Sequence, residues 1–228
     1  MNISNLIVEV TRKCNMACDH CLRGNAQNAD IDFQYIDSLL SQLSYICTVT
    51  FTGGEPSLNV KAIDYFLMIA KKLGVGIGGF YIATNGMTIK EEFVMACLRL
   101  YSYCDEKEMC LVDISNDQYH AAEGAYDTEL LDGLSFIHRK YEKERYNFNH
   151  NQALIMEGRA KENFTDAGRK PDKKQKIETV DDFNDTEIYL NVHGDIINGC
   201  DWSYTSQKKN KLCFVSSLKS YYETLTEE

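Results

Sequence analysis

Short apolar runs alternate with amphipathic stretches along most of this 228-residue chain. Asn5–Val10, Cys47–Phe51, Phe80–Ala83, Cys110–Ile114, Gln152–Met156 and Glu187–Val192 read as strands. Each is a short apolar run bounded by polar residues or glycine. Between them the apolar positions recur at helical spacing. Asp32 caps a helix whose inner face is Ile36, Leu39, Leu40 and Leu43, at i, i+3, i+4 and i+7. Lys61–Leu73 presents Ile63, Phe66, Leu67 and Ala70 on one face and stops at Gly74. Thr88 and Glu91 form the capping-box pattern ahead of a helix that buries Phe93, Ala96, Cys97 and Leu100. Thr128–Lys140 reads as a fourth helix, and the polar, charged stretch Lys161–Asp185 as a long loop or insertion.

Strands alternating with helices imply a parallel sheet with right-handed crossovers. Six strands in a chain of this length predict an α/β fold, a partial (β/α)6 TIM-like barrel with parallel strands. A closed eight-fold barrel takes about 250 residues. Residues 1–200 are expected to form the core barrel, and 201–228 a C-terminal extension packing on it.

Composition narrows the picture. With 44% hydrophobic and 25% charged residues and two prolines, the chain reads as a soluble globular protein. No apolar run approaches the roughly 18 residues a membrane helix needs. The start, MNISNLIVEV, lacks the basic and apolar segments of a signal peptide, so the expected location is the cytoplasm. A net charge of −10 argues against a nucleic-acid partner. The densest basic stretch, Arg169 to Lys176, is short and reads as a solvated loop. The cysteines number nine, an odd count without a secretion signal. They point to metal ligands or catalytic groups rather than a disulfide framework.

Three of them stand together. Cys14, Cys18 and Cys21 follow the first strand as C-x3-C-x2-C, at the rim where parallel α/β barrels place their active sites. Three thiolates leave one iron of a [4Fe–4S] cluster, which normally takes four cysteines, open to a non-protein ligand. Structural zinc is the alternative; it needs four ligands, and Cys200 or Cys213 would have to complete the set from a distance. The second strand then ends in Phe51-Thr52-Gly53-Gly54-Glu55-Pro56. Two glycines let a ligand approach the backbone closely, and Glu55 adds a carboxylate suited to an ammonium group.

With those two segments in sequence, the chain resembles the radical S-adenosylmethionine (SAM) superfamily, with a matching strand rhythm from about Asn5 to Cys200. The resemblance implies an oxygen-sensitive enzyme whose cofactors are SAM and a [4Fe–4S] cluster held by Cys14, Cys18 and Cys21. SAM would chelate the open iron, with Gly53, Gly54 and Glu55 at its methionine amine. Cleavage would give methionine and a 5′-deoxyadenosyl radical that takes a hydrogen atom from the substrate. Thr84 and Asn85 at the third strand end are expected near SAM, and Ser115 and Asp117 at the fourth near its ribose or carboxylate. Arg159, in a Gly-Arg-Ala seen in peptide-modifying members, is expected at the SAM carboxylate, and His20 near the adenine. No side chain is singled out as catalytic. Cys200 is read as a buried thiol ending the sixth strand, and Cys47, Cys97, Cys104 and Cys110 as buried, inert thiols.

Modification of a peptide or protein side chain is the favoured reaction. Small-molecule or nucleotide chemistry and glycyl-radical activation are the alternatives within the family. A non-catalytic zinc or iron–sulfur binding module is the alternative outside it. A flavodoxin or ferredoxin is implied as the low-potential electron donor.

Overall fold

The computed structural model describes residues 1–115, 118–121, 129–139, 154–164, 168–171 and 176–226. One sheet organises them, with strands β1 (Asn2–Thr11), β2 (Tyr45–Gly53), β3 (Gly76–Thr84), β4 (Leu111–Ile114), β5 (Ile137–Arg139), β6 (Glu187–Leu190), β7 (Asp195–Asn198) and β8 (Lys211–Phe214). Their order across the sheet is β5-β4-β3-β2-β1-β6-β7-β8. The run from β5 to β6 is parallel throughout. The protein is thus an α/β fold with a six-stranded parallel sheet, as the alternating pattern predicted. The last two pairings, β6 with β7 and β7 with β8, are antiparallel. Gly194, at φ +80, makes the tight turn that joins β6 to β7.

Helices α1 (Phe33–Leu40), α2 (Val60–Leu73) and α3 (Glu91–Tyr103) bury Ile36, Leu39, Phe66, Phe93 and Leu100 in one core cluster with Leu6, Val8, Val49, Phe51, Phe80 and Val112 of the strands. Alternate strand residues point the other way. On β2, Val49 and Phe51 are buried in that core while Thr48, Thr50 and Thr52 are half-buried on the opposite face. Asp32 caps α1 by accepting from the Gln34 N–H, and Gly74 ends α2 in the left-handed region at φ 69.

Four expectations are corrected. Helix α3 starts at Glu91 with Lys90 at its cap, so Thr88 lies two residues too early for a capping box. Glu91 and Glu92 instead place negative charge in the first turn. The stretch expected to be a fourth helix, Thr128–Lys140, holds a single 3-10 turn at Glu129–Leu131 and then β5; its end residues lie outside the described ones. Gly133, at φ +81, interrupts it, and Phe136 is drawn into the core, where its ring stacks on Tyr101 at 4.8 Å. The strand expected at Gln152–Met156 is replaced in the sheet by β5. Gln152 lies outside the described residues, and Ile155 makes only an isolated bridge to Arg169. The stretch Lys161–Asp185 carries the end of one helix, α5 (Gly158–Asn163), and all of another, α6 (Val180–Asp185). Helix α6 is started by a capping box between Thr179 and Asp182 and pinned by buried Phe183. The remaining helices are the short α4 (Gln118–Ala121), α7 (Tyr204–Gln207) and α8 (Leu218–Tyr222). No described helix is long and apolar enough to cross a membrane.

Candidate active site

The C-terminal ends of β1 to β4 open onto one pocket of about 260 Å³. Cys14, Cys18, Cys21 and His20 line it from the loop after β1, Thr52, Gly54 and Glu55 from the end of β2, and Thr84 and Asn85 from the end of β3. Ser115 and Arg159 complete the set of expected residues on its wall. Gly53 adjoins Gly54 without itself lining the wall, and Asp117 lies outside the described residues. Residues that the chain separates by more than a hundred positions therefore meet here.

The loop is positioned by backbone contacts. The N–H groups of Gly54 and Glu55 donate to the carbonyls of Thr11 and Lys13, each at 2.8 Å. A Cβ on Gly53 would sit 1.8 Å from the Thr11 carbonyl oxygen, and one on Gly54 2.2 Å from that of Lys13. The two glycines thus serve the approach of one backbone to another, directly before Cys14. That corrects their reading as room for a ligand alone. Gly158 does the same on the other side: at φ +52 its Cβ would meet the Leu22 and Cys21 carbonyl oxygens, at 2.5 and 2.8 Å. The Arg159 N–H donates to that Cys21 oxygen at 2.9 Å.

Glu55 is 2% exposed and is held by three donors: the Ser57 N–H at 3.0 Å, the Thr84 hydroxyl at 2.7 Å and the Asn85 N–H at 2.8 Å. A carboxylate offers about four lone-pair sites, so one stays open to a bound ammonium group. The Asn85 amide donates to the Asn15 side chain at 2.8 Å and reaches the Cys14 sulfur at 4.0 Å. The Met16 N–H donates to the same sulfur at 3.4 Å. Burial raises the Cys14 pKa, and the charges of Glu55 and Cys21 add to the rise against the Met16 hydrogen bond. A bound cation is what such a thiol needs in order to ionise.

The three thiols stand around the pocket rather than converging on a point. Among the described residues no three His, Cys, Asp or Glu side chains are close enough to share one metal ion. All three line the one pocket of about 260 Å³, which has room for a group larger than a single ion. The more distant cysteines do not approach: Cys213 pairs with Ile196 in the sheet. Cys200 is half-buried and follows β7, not the sixth strand where it was expected. Of the cysteines read as inert, Cys97, Cys104 and Cys110 are buried, and burial pushes the Cys97 thiol up to about 12; Cys47 is exposed, correcting its reading.

His20 stacks on Tyr119 at 4.6 Å between ring centroids and meets His120 edge-on at 4.9 Å. Arg159 reaches Asp19 at 3.1 Å, so its guanidinium already has one carboxylate partner at the pocket's rim.

Beneath the pocket lies a buried polar network absent from the sequence reading. Glu9, fully buried, accepts from Arg12 at 2.6 Å, from the Tyr189 hydroxyl at 2.5 Å and from Gln207 at 3.0 Å. Arg12 also donates to Gln207 at 2.6 Å. Its guanidinium lies 4.3 Å over the ring of Tyr204, another wall residue. Arg23 donates to the carbonyls of Cys200 and Trp202, both at 2.7 Å. The cysteine loop is thereby tied to the C-terminal segment.

Comparison with known proteins agrees with this geometry. Residues 8–106 match the family model of the radical SAM superfamily. A 66-residue stretch, 27% of the chain, is 41% identical to part of an uncharacterized protein of Methanocaldococcus jannaschii, covering 23% of it. A 72-residue stretch, 30% of the chain, is 35% identical to part of the YfkA protein of Bacillus subtilis, covering 19% of it. These matches span less than a quarter of either relative. In three dimensions the chain is similar to native anSMEcpe with bound AdoMet and the Cp18Cys peptide. The TM-score is 0.61 at 15% identity, over 98% of this chain and 81% of that one. The same protein with the Kp18Cys peptide gives 0.56 at 13% identity, over the same shares. At such identities the likeness is one of fold.

Proposed function

We propose that the chain, whose residues 8–106 match the radical SAM family model, is an enzyme of that class that cleaves SAM reductively to modify a peptide or protein side chain. The observation that carries the reading is the meeting of three thiols and the open carboxylate site of Glu55 around one pocket. When bound, the [4Fe–4S] cluster of this class supplies the electron that breaks SAM into methionine and a hydrogen-abstracting 5′-deoxyadenosyl radical. The chain's own residues bind and orient. Cys14, Cys18 and Cys21 would hold the cluster, with the Met16 N–H stabilising the Cys14 thiolate. Glu55, fixed by Thr84 and Asn85, would receive the methionine ammonium group. Ser115 and Arg159 line the same wall and would meet the ribose and carboxylate, with Asp117 assigned alongside them from its position in the sequence. His20, packed on Tyr119, offers an aromatic surface for adenine. The cofactor carries the hard chemistry while the protein orients it and excludes side reactions.

A peptide is favoured as substrate because the similar fold of anSMEcpe is seen with AdoMet and a peptide bound. A flavodoxin or ferredoxin would supply the electron. Residues 1–200 form the core in this reading, and 201–228 the extension that closes on it.

Anaerobic reconstitution tests the assignment of the two ligand sets. Wild type and Glu55→Ala are both expected to take up iron and sulfide, about four of each per chain. The variant should bind SAM more weakly by roughly 1.5–3 kcal/mol, about 10- to 150-fold, for the lost charge-assisted hydrogen bond. Calorimetric titration with SAM reads the difference. Equal affinity would remove Glu55 from the SAM site, and uptake of zinc in place of iron and sulfide would indicate a binding module.

A further inference from the structure

A second group of titratable side chains stands on the sheet beside the pocket, outside the ligand sets described above. Val112 and Ile114 of β4 are buried in the core under the helices, so Asp113 between them points to the opposite face. That face carries the pocket. Asp113 pairs in register with Ala83 of β3, a wall residue, and stands two positions before Ser115, another. On its other side it pairs with His138 of β5. Paired residues of neighbouring strands project to the same side, and the strands lie about 4.8 Å apart. The His138 backbone is therefore only about 10 Å along the sheet from the pocket wall.

The Asp113 side chain is buried, while that of His138 is 49% exposed. The carboxylate accepts from the Tyr81 hydroxyl at 2.8 Å and lies 3.2 Å from the His138 Nδ1. Tyr81 shares the face, two residues before Ala83 on β3. An ionised carboxylate can only accept hydrogen bonds. Nδ1 therefore carries the proton, and Nε2 of the neutral ring is an acceptor. Burying a carboxylate is costly, and neither the strand pairing nor the apolar core requires one here. What it does is hold an accessible imidazole in one tautomer, on the face that leads to the pocket.

Resting on the peptide-modifying reading above, we propose that His138 is a substrate-binding residue whose Nε2 accepts a hydrogen bond from a hydroxyl or thiol on the peptide side chain. Asp113 and Tyr81 are positioning residues: they touch the imidazole or its carboxylate, not the peptide. An acceptor fixed in this way discriminates. A peptide with a methyl group in place of the O–H or S–H covers Nε2 without supplying a donor. The site then favours serine or cysteine over alanine by about 2- to 12-fold, the net worth of one ordinary hydrogen bond.

The test uses the full chain, reconstituted anaerobically and saturated with SAM, as wild type, His138→Leu, His138→Gln and Asp113→Asn. Each is panned against randomised peptide pools with serine, cysteine or alanine fixed at the centre, and iron content and SAM affinity are read alongside. Wild type should enrich serine or cysteine peptides over alanine ones. His138→Leu should lose that preference at unchanged iron content and SAM affinity. His138→Gln, whose side-chain carbonyl still accepts, should keep part of it. Asp113→Asn should lose it too, because its amide can donate to Nδ1 and leave Nε2 carrying the proton. A wild-type preference in His138→Leu overturns the proposal. So does an equal loss of all three pools in that variant, which makes the residue a support of the fold. If Asp113→Asn does not fold, the half-exposed His138 variants decide alone. A loaded wild type that enriches peptides without regard to the central residue overturns this proposal and leaves the peptide reading standing. One that enriches no peptide overturns both.

Discussion

Cys18→Ala is expected to fold and yet to hold no stable iron–sulfur cluster, with loss of all turnover. Cys18 is a small side chain on the pocket wall, in a loop held by backbone bonds that do not involve its sulfur. Losing one sulfur atom there costs little in the chain's own packing. Its loss as a ligand is severe. Three thiolates already leave one iron open, and removing another leaves two irons without protein ligands. Iron and sulfide analysis after reconstitution should fall from about four per chain to near zero, with an unchanged far-ultraviolet circular dichroism spectrum. Cys14→Ala and Cys21→Ala should behave alike, because no other described cysteine lines the pocket. A variant that kept a normal cluster and activity would refute the ligand assignment.

Gly54→Ala should damage the site through the backbone rather than through ligand chemistry. Its Cβ would stand 2.2 Å from the Lys13 carbonyl oxygen and 2.7 Å from the carbonyl carbon. Those atoms are main chain and cannot swing aside like a side chain. Relief requires the segment before Cys14 to retreat, which breaks the bonds from Gly54 to Thr11 and from Glu55 to Lys13. The expected cost exceeds about 3 kcal/mol, the range of backbone strain combined with lost buried hydrogen bonds. For a chain of this size that lowers Tm by about 6–12 °C. Iron loading should fall with it, since Cys14 moves. Gly74→Ala is the contrasting case: its φ is positive, at +69, as that of Gly54 is not, and nothing lies within 4 Å of its Cβ. It should cost only about 1–2 kcal/mol for the left-handed conformation. Thermal melts and reconstitution of both variants check the pair; equal losses would mean that close packing is not what Gly54 serves.

The contrast between these sites shows what the sequence could convey. The C-x3-C-x2-C and the Gly-Gly-Glu-Pro are legible because each set of chemical groups lies within a few residues, at a strand end that periodicity already locates. Five of the six parallel strands are legible for the same reason: each is an apolar run of ordinary length. β5 is not, because only three residues pair, in a stretch whose apolar spacing mimics a helix until Gly133 breaks it. The two glycines were legible as a close approach but not as to what approaches, since that depends on the return of the chain after β1. The network under the pocket was not legible at all. Glu9, Tyr189 and Gln207 are 180 and 198 positions apart along the chain, and each alone looks like an ordinary strand or loop residue. Tyr204 carries no local signal either; its place on the pocket wall comes from the antiparallel turn of β7 and the chain that follows.

The most direct test of the central claim is anaerobic. The reconstituted protein is reduced with dithionite, given SAM and a cysteine-containing peptide, and assayed by chromatography for 5′-deoxyadenosine. The account predicts 5′-deoxyadenosine with wild type and none with Cys18→Ala. Wild type carrying a full [4Fe–4S] complement, with SAM bound and the cluster reduced, yet yielding none with or without peptide, would contradict it.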